Sequence, residues 1–252
     1  MEPIVKGCLQ ARLAEGAADI DRAQRLRHLA FITTRGGTAR PDGRDADAFD
    51  EICRHVLIEQ HPGGALLGCF RLLPLNDGRQ IGASYSAQFY DLGRLRAFPG
   101  KLVEMGRFCI HPDHAADPDI LRLAWGAVTR FVDDNGIAML FGCSSFDGTD
   151  AEGYRDSLAM LKDRHLAPIR WRPRVKMPDV VRYARTLARI TPDARTALAA
   201  MPPLLRTYLM MGGWVSDHAV IDRDLNTLHV FTGLEISAVP PARARALRAV
   251  AG

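Results

Sequence analysis

Nowhere in the 252 residues is there a run of ~18 uncharged apolar residues, which excludes a membrane-spanning helix. Glu2 and Lys6 interrupt the N-terminus before an apolar stretch forms, so no secretory signal is expected. Cysteine is sparse: Cys8, Cys53, Cys69, Cys109 and Cys143 are odd in number and form no CxxC pair. That pattern fits reduced, mostly buried thiols in the cytoplasm, and speaks against a disulfide frame or a zinc site. Other absences remove further chemistries. Ser144-Ser145 lies outside any nucleophile-elbow pattern, and His111 and His114 straddle Pro112 with no third ligand nearby. The glycines of GGALLG (63–68) read as a hairpin rather than a phosphate loop. No metal and no redox cofactor are therefore expected. Lysine is also scarce, supplying four of the 33 cations, at 6, 101, 162 and 176. The remaining cations are arginines, which suit an acidic partner through rigid bidentate contacts. A net charge of +4 is too small to argue for nucleic acid.

What is present is an ordinary globular balance, 47% hydrophobic and 25% charged, which excludes a disordered chain. Residues 3–14 read as a first strand. Residues 17–31 carry apolar side chains at helical spacing, with Asp19 and Asp21 in the first turn. A polar Gly/Asp loop follows at 35–48. Residues 53–60 and 64–74 read as a hairpin, and 101–112 as a central strand ended by proline. Residues 117–136 form the clearest helix, opened by Asp117 and closed by Asn135-Gly136. A buried strand at 137–146 and a helix at 151–165 come next. The crossover from 101 to 146 is expected to be right-handed with parallel strands. Residues 178–190 are basic and partly amphipathic, and strands are expected near 214–221 and 227–236. This order predicts an α/β (α+β) chain, a mixed central sheet flanked by helices. It is read as a single domain, 1–252, with a core at 1–166 and a helical and strand C-terminal elaboration at 167–252.

The segment EMGRFCIHP (104–112) carries the most chemical information. Strict alternation puts Glu104 and Arg107 on opposite faces of the strand. Gly106 marks a bulge, and one inserted residue brings the two side chains to the same side. Taken alone, the pair is either a structural ion pair or part of a site.

EMGRF resembles the central-strand signature of the GNAT superfamily of N-acyltransferases, whose bulged strand diverges from its neighbour and admits a pantetheine arm. The closer resemblance is to the branch that holds the acyl-homoserine-lactone synthases and the ornithine N-acyltransferases of ornithine-lipid biosynthesis. RLRHLAF (25–31), with Arg27 and Phe31, resembles the helix end of that branch. DADAFDEICRHVLI (45–58), with Asp47 and Asp50, resembles its acidic loop, and GCFRLLP (68–74), with Arg71, its Arg-Leu-Leu-Pro strand. MLFGCSSFDGTD (139–150) and the segment 201–227 resemble the ornithine acyltransferases in particular.

The resemblance implies an enzyme that moves a 3-hydroxy fatty acyl group from acyl carrier protein to the α-amine of ornithine, with no cofactor beyond the donor's phosphopantetheine. Glutamine or another acceptor, acyl-homoserine-lactone synthesis, and a silent GNAT-fold module binding carrier protein or membrane are the alternatives. The loop HPDHAADPD (111–119) fits a carrier-protein donor, because three aspartates replace the Gly-rich turn that would hold a pyrophosphate. Glu104 is the candidate base, and backbone N–H groups near Gly106 are the candidate oxyanion donors. Arg71 and Arg107, with Asp47, Asp50 and Arg27, are the candidate substrate-binding group. Each arginine is alternatively paired with Asp47, Asp50 or Glu104. Asp217, Asp222 and Asp224 are candidates for the ornithine side-chain ammonium, or else turn acids. Phe70, Phe108, Phe141 and Phe146, beside Leu72, are candidates for the acyl wall. Residues 180–190 are a candidate contact with an anionic membrane face, for an otherwise cytoplasmic protein.

Overall fold

A computed structural model describes residues 1–35, 37 and 39–252. Within the Gly/Asp loop expected at 35–48, positions 36 and 38 lie outside the described residues. The chain divides into two compact units. One comprises residues 1–74, 105–137 and 241–252; the other comprises 75–104 and 138–240.

In the first unit, β1 (Ile4–Lys6) and β2 (Leu9–Leu13) form a hairpin where one strand was expected. Gly7 makes the turn at φ 57°, a conformation L side chains rarely adopt. β2 pairs with β3 (Arg54–Gln60), which pairs with β4 (Leu66–Leu75), all antiparallel. β6 (Lys101–Ile110) lies next to β4, and buried Cys69 and Cys109 bring their sulfurs within 3.5 Å across that step.

Two long helices cover this unit. α1 (Ala17–His28) buries Ala23, Leu26 and Arg27, and is fastened to the hairpin through Arg12, which bonds both Asp19 and Glu59. It runs into a π turn at Leu29–Thr33. α2 (Pro118–Asn135) forms as its sequence dictates. Asp117 caps the amide of Asp119 at 2.9 Å, Pro118 fits the first turn, and Gly136 ends the helix at φ 61°. Ile120, Leu123, Ala124, Ala127, Val128 and Phe131 give it one buried stripe. The C-terminal helix α7 (Pro241–Ala251) was not anticipated. It packs on α2 so closely that a Cβ at Gly126 would meet Val250 at 2.7 Å.

In the second unit, β7 (Ile137–Asp147) pairs with β11 (Thr227–Glu235), β11 with β10 (Trp214–Asp222), and β10 with the short β9 (Val180–Val181), all antiparallel. β5 (Tyr90–Asp91) and β8 (Arg174–Val175) form a separate pair. α3 (Arg155–Arg164), α5 (Ala194–Ala200) and α6 (Pro203–Met210) lie with the one-turn α4 (Tyr183–Thr186) over a core of Phe146, Leu158, Leu161, Tyr183, Leu205, Val215 and Val230.

The basic stretch at 178–190 is therefore no continuous amphipathic helix. Its Tyr183 is fully buried, and Lys162 binds the carbonyls of Leu187 and Ile190. Among the described residues, no helix is long and apolar enough to cross a membrane.

Candidate active site

The first unit assembles five of the sequence's candidates into one buried network. Arg27, in the last turn of α1, is 1% exposed and grips Asp50 with both ends of its guanidinium, at 2.8 and 2.7 Å. Its Nε donates to Asp45 at 3.1 Å, and Nη2 donates to the Asp45 carbonyl. Arg71 on β4 bonds Asp47 bidentately at 2.6 and 2.8 Å, and also Asp50 at 2.8 Å. Arg107 on β6 reaches Asp45 at 3.0 Å and Asp47 at 3.3 Å.

The segment supplying the carboxylates folds as its sequence directs. Asp47 caps the short 3-10 turn Ala48–Glu51 by accepting from the Phe49 amide, while Asp50 accepts from the Asp47 amide. Three guanidiniums thus face three carboxylates. The partly exposed Arg40 also reaches Asp45, at 3.4 Å, so each of these carboxylates is paired, as burial requires. Burial pushes the Asp50 and Asp47 carboxyls up, but hydrogen bonds from Arg27 and Arg71 respectively outweigh it, holding both below the usual carboxylate range. His55, whose Nε2 lies 3.1 Å from the Asp50 carbonyl, is pushed below the usual imidazole range chiefly by burial. Asp45 was not singled out from the sequence; its place in the DADAFD run was the available signal.

The interruption of β6 falls one residue after the expected position. Gly106 has an ordinary backbone, and the left-handed conformation belongs to Arg107, at φ 51°. A side chain at such a φ is strained, on the order of 1–3 kcal/mol, and needs surroundings that hold it. The contacts of Arg107 to Asp45 and Asp47 are those surroundings.

Glu104 belongs to the second unit and is 4% exposed. Oε2 accepts from the Tyr85 amide at 2.7 Å; Oε1 accepts from the Ser86 amide at 2.7 Å and from Ser86 Oγ at 2.5 Å. Hydrogen bonds of this kind favour the charged carboxylate. Burial and the Glu104 charge together push the Tyr208 phenol up. Tyr85 and Ser86 were missed because they sit in an irregular stretch of short 3-10 turns with no periodicity to read.

The aromatic candidates divide. Phe70 and Phe108 pack at 5.9 Å in the first unit, and Phe141 stacks on Phe231 at 5.8 Å in the second. Phe146 is five residues beyond Phe141 in the same strand, so it faces the opposite side, inside the α3–α6 core. Leu72 is fully buried on β4. Asp222 holds the β10–β11 turn, accepting from the amides of Asp224 and Leu225, while Asp217 pairs with His218 at 2.7 Å. Among the described residues, no three His, Cys, Asp or Glu side chains group as a metal site would require.

Residues 26–125 match the family model described as "Acetyltransferase (GNAT) domain". The chain is 36% identical over 239 residues to the L-ornithine N(alpha)-acyltransferase of Rhodobacter capsulatus, spanning 91% of each chain. It is 32% identical to the protein of that name from Rhizobium meliloti, over 92% of this chain and 81% of the relative. Among solved structures, the fold is shared with FeeM, an N-acyl amino acid synthase from uncultured soil microbes, with a TM-score of 0.52, 12% identity and coverage of 99% and 98%. It is also shared with BjaI, a CoA-dependent acyl-homoserine lactone synthase, with a TM-score of 0.50, 16% identity and coverage of 92% and 81%.

Two outcomes follow from the buried charges. Replacing Arg27 by Met takes from Asp45 and Asp50 the fully buried partner they share, and is expected to cost ~3–5 kcal/mol in denaturant unfolding. The pH profile of stability should also bend early. Burial, with His218 nearby, pushes His229 down to about 3. The unfolded chain protonates this side chain first, so its contribution is lost as pH falls from ~6.5 towards 3. The depressed aspartates add a further loss only below ~4. In His229→Phe, Tyr90 can still donate to the 229 carbonyl. Melting temperatures of this variant should fall less between pH 6.5 and 4 than those of the parent.

Proposed function

The chain belongs to the L-ornithine N(alpha)-acyltransferase family, and from that premise we propose that it transfers a 3-hydroxy fatty acyl group from acyl carrier protein to the α-amine of ornithine. The observation that carries this reading is the likeness to named ornithine acyltransferases across nine-tenths of the chain.

The chemistry is the exchange of a thioester for an amide. The neutral amine attacks the carbonyl carbon, the carbon–sulfur bond breaks, and the carrier's thiol leaves with a proton. Glu104 is the base, taking the proton from the amine directly or through one water. Its carboxylate is fixed by three donors, so it is oriented before substrate arrives. Backbone N–H groups beside Gly106 and Arg107, where the strand departs from regular geometry, meet the developing oxyanion. Asp47 and Arg107, the more exposed members of the network, meet the amino-acid head, with Arg27, Arg71 and Asp50 paired behind them. Phe70 and Phe108 supply apolar surface to the acyl chain.

The N-terminus of α2 supports a carrier-protein donor. Pro118 has no N–H to offer, the Asp119 amide is capped by Asp117, and the Asp119 carboxylate is paired with Arg122. A pyrophosphate would meet carboxylates where it needs bare N–H groups. Acyl carrier protein brings a single phosphodiester.

The test is acyl transfer by the purified protein, read by mass spectrometry of the product. With 3-hydroxyacyl carrier protein and ornithine, N-acylornithine should accumulate, more slowly as salt rises. Chelator should leave the rate unchanged. Equal efficiency with acyl-CoA would refute the carrier-protein donor. Acylation of glutamine in preference to ornithine would refute the acceptor, and no acylation of any amine would refute catalysis.

A further inference from the structure

We infer that Ser86 is a positioning residue for Glu104, holding the carboxylate ionised and aimed; this rests on the reading of Glu104 as the base. Ser86 is fully buried and supplies two of the three donors around Glu104, its amide and its hydroxyl, both to Oε1. A buried hydroxyl has one proton. Donated to Glu104 at 2.5 Å, it leaves the oxygen's lone pairs for Cys143, whose sulfur lies 3.4 Å away.

The segment carrying Ser86 is itself held on several sides. Ser84 Oγ accepts from the Ala87 amide, and Lys176 binds the Ala87 carbonyl at 2.6 Å. Tyr90 donates to the His229 carbonyl at 2.8 Å, and Phe89 packs edge-on against the His229 ring. Such a segment keeps its amides in place when the carboxylate changes charge.

The groups around Glu104 fix the sign of the effect. Tyr85 and Ser86 donate from the 84–90 segment. Cys143 approaches from β7 through Ser86, and the Tyr208 phenol on α6 senses the Glu104 charge. Arg107, further along β6, is engaged with Asp45 and Asp47. Removing the Ser86 hydroxyl takes one donor from the charged form of Glu104, so the base protonates at higher pH.

The same geometry complicates the obvious variant. In Glu104→Gln, the new NH2 faces the amide of Tyr85 or of Ser86, donor against donor. Its loss of rate therefore mixes lost basicity with a displaced segment, and Ser86 variants are the cleaner probe.

The experiment is steady-state kinetics of acyl transfer to ornithine across pH, with melting curves for every variant. Ser86→Ala should lower kcat about tenfold with little change in KM, as expected for one hydrogen bond to a charged group. The acid limb of kcat/KM should move up by about one pH unit. Ser86→Cys keeps the volume with a weaker donor and should fall between; it carries the test if Ser86→Ala does not fold. In the Glu104→Gln background, Ser86→Ala should change the residual rate little. A folded Ser86 variant with parent kcat and an unmoved acid limb overturns the positioning role, while Glu104 keeps its own if Glu104→Gln is slow. If Glu104→Gln also turns over at the parent rate, the base assignment itself has failed, and the role inferred for Ser86 falls with it.

Discussion

Three guanidiniums locked to three carboxylates inside the first unit set the conditions for much else in it. Arg27, Arg71 and Arg107 come from α1, β4 and β6, while Asp45, Asp47 and Asp50 come from one six-residue stretch. Buried charge is costly unless it is paired, so none of these side chains can move without stranding another. The network therefore fixes the acidic stretch against the helix end and both strands at once. It also accounts for a left-handed residue in the middle of a strand. Arg107 holds φ 51° because its guanidinium is already committed to Asp45 and Asp47.

An acyltransferase that uses no covalent intermediate must present a base, oxyanion donors and an acyl surface in fixed positions. The proposed base, Glu104, is fixed by the amides of Tyr85 and Ser86 within the second unit, and Arg107 by its carboxylates within the first.

Much of this was legible in the sequence, and what was not has physical reasons. α2 was readable because cap, apolar stripe and terminal glycine all agreed. The pairing of Arg71 with Asp47 and Asp50 was one of two readings kept open, and the structure shows it. Gly106 drew attention as the residue best suited to a strand irregularity, yet Arg107 carries it. Side-chain charge, invisible to backbone propensity, overrode the usual preference for glycine. Two of the three donors to Glu104 are the amides of Tyr85 and Ser86, which leave no trace in residue type. α7 alternates Ala with Arg and presents no strong apolar stripe; its packing depends on the glycine it meets in α2. Phe146 counted as an acyl-wall candidate by composition, but strand parity places it in the core.

Side-chain charge, not local sequence, holds the break in β6. The most direct measurement is a crystal structure of the Arg107→Val variant. Valine cannot reach Asp45 or Asp47, and its branched Cβ disfavours a left-handed backbone. The account predicts that residue 107 returns to negative φ and that β6 runs on as a regular strand. A valine still left-handed at 107, with β6 otherwise unchanged, would contradict it.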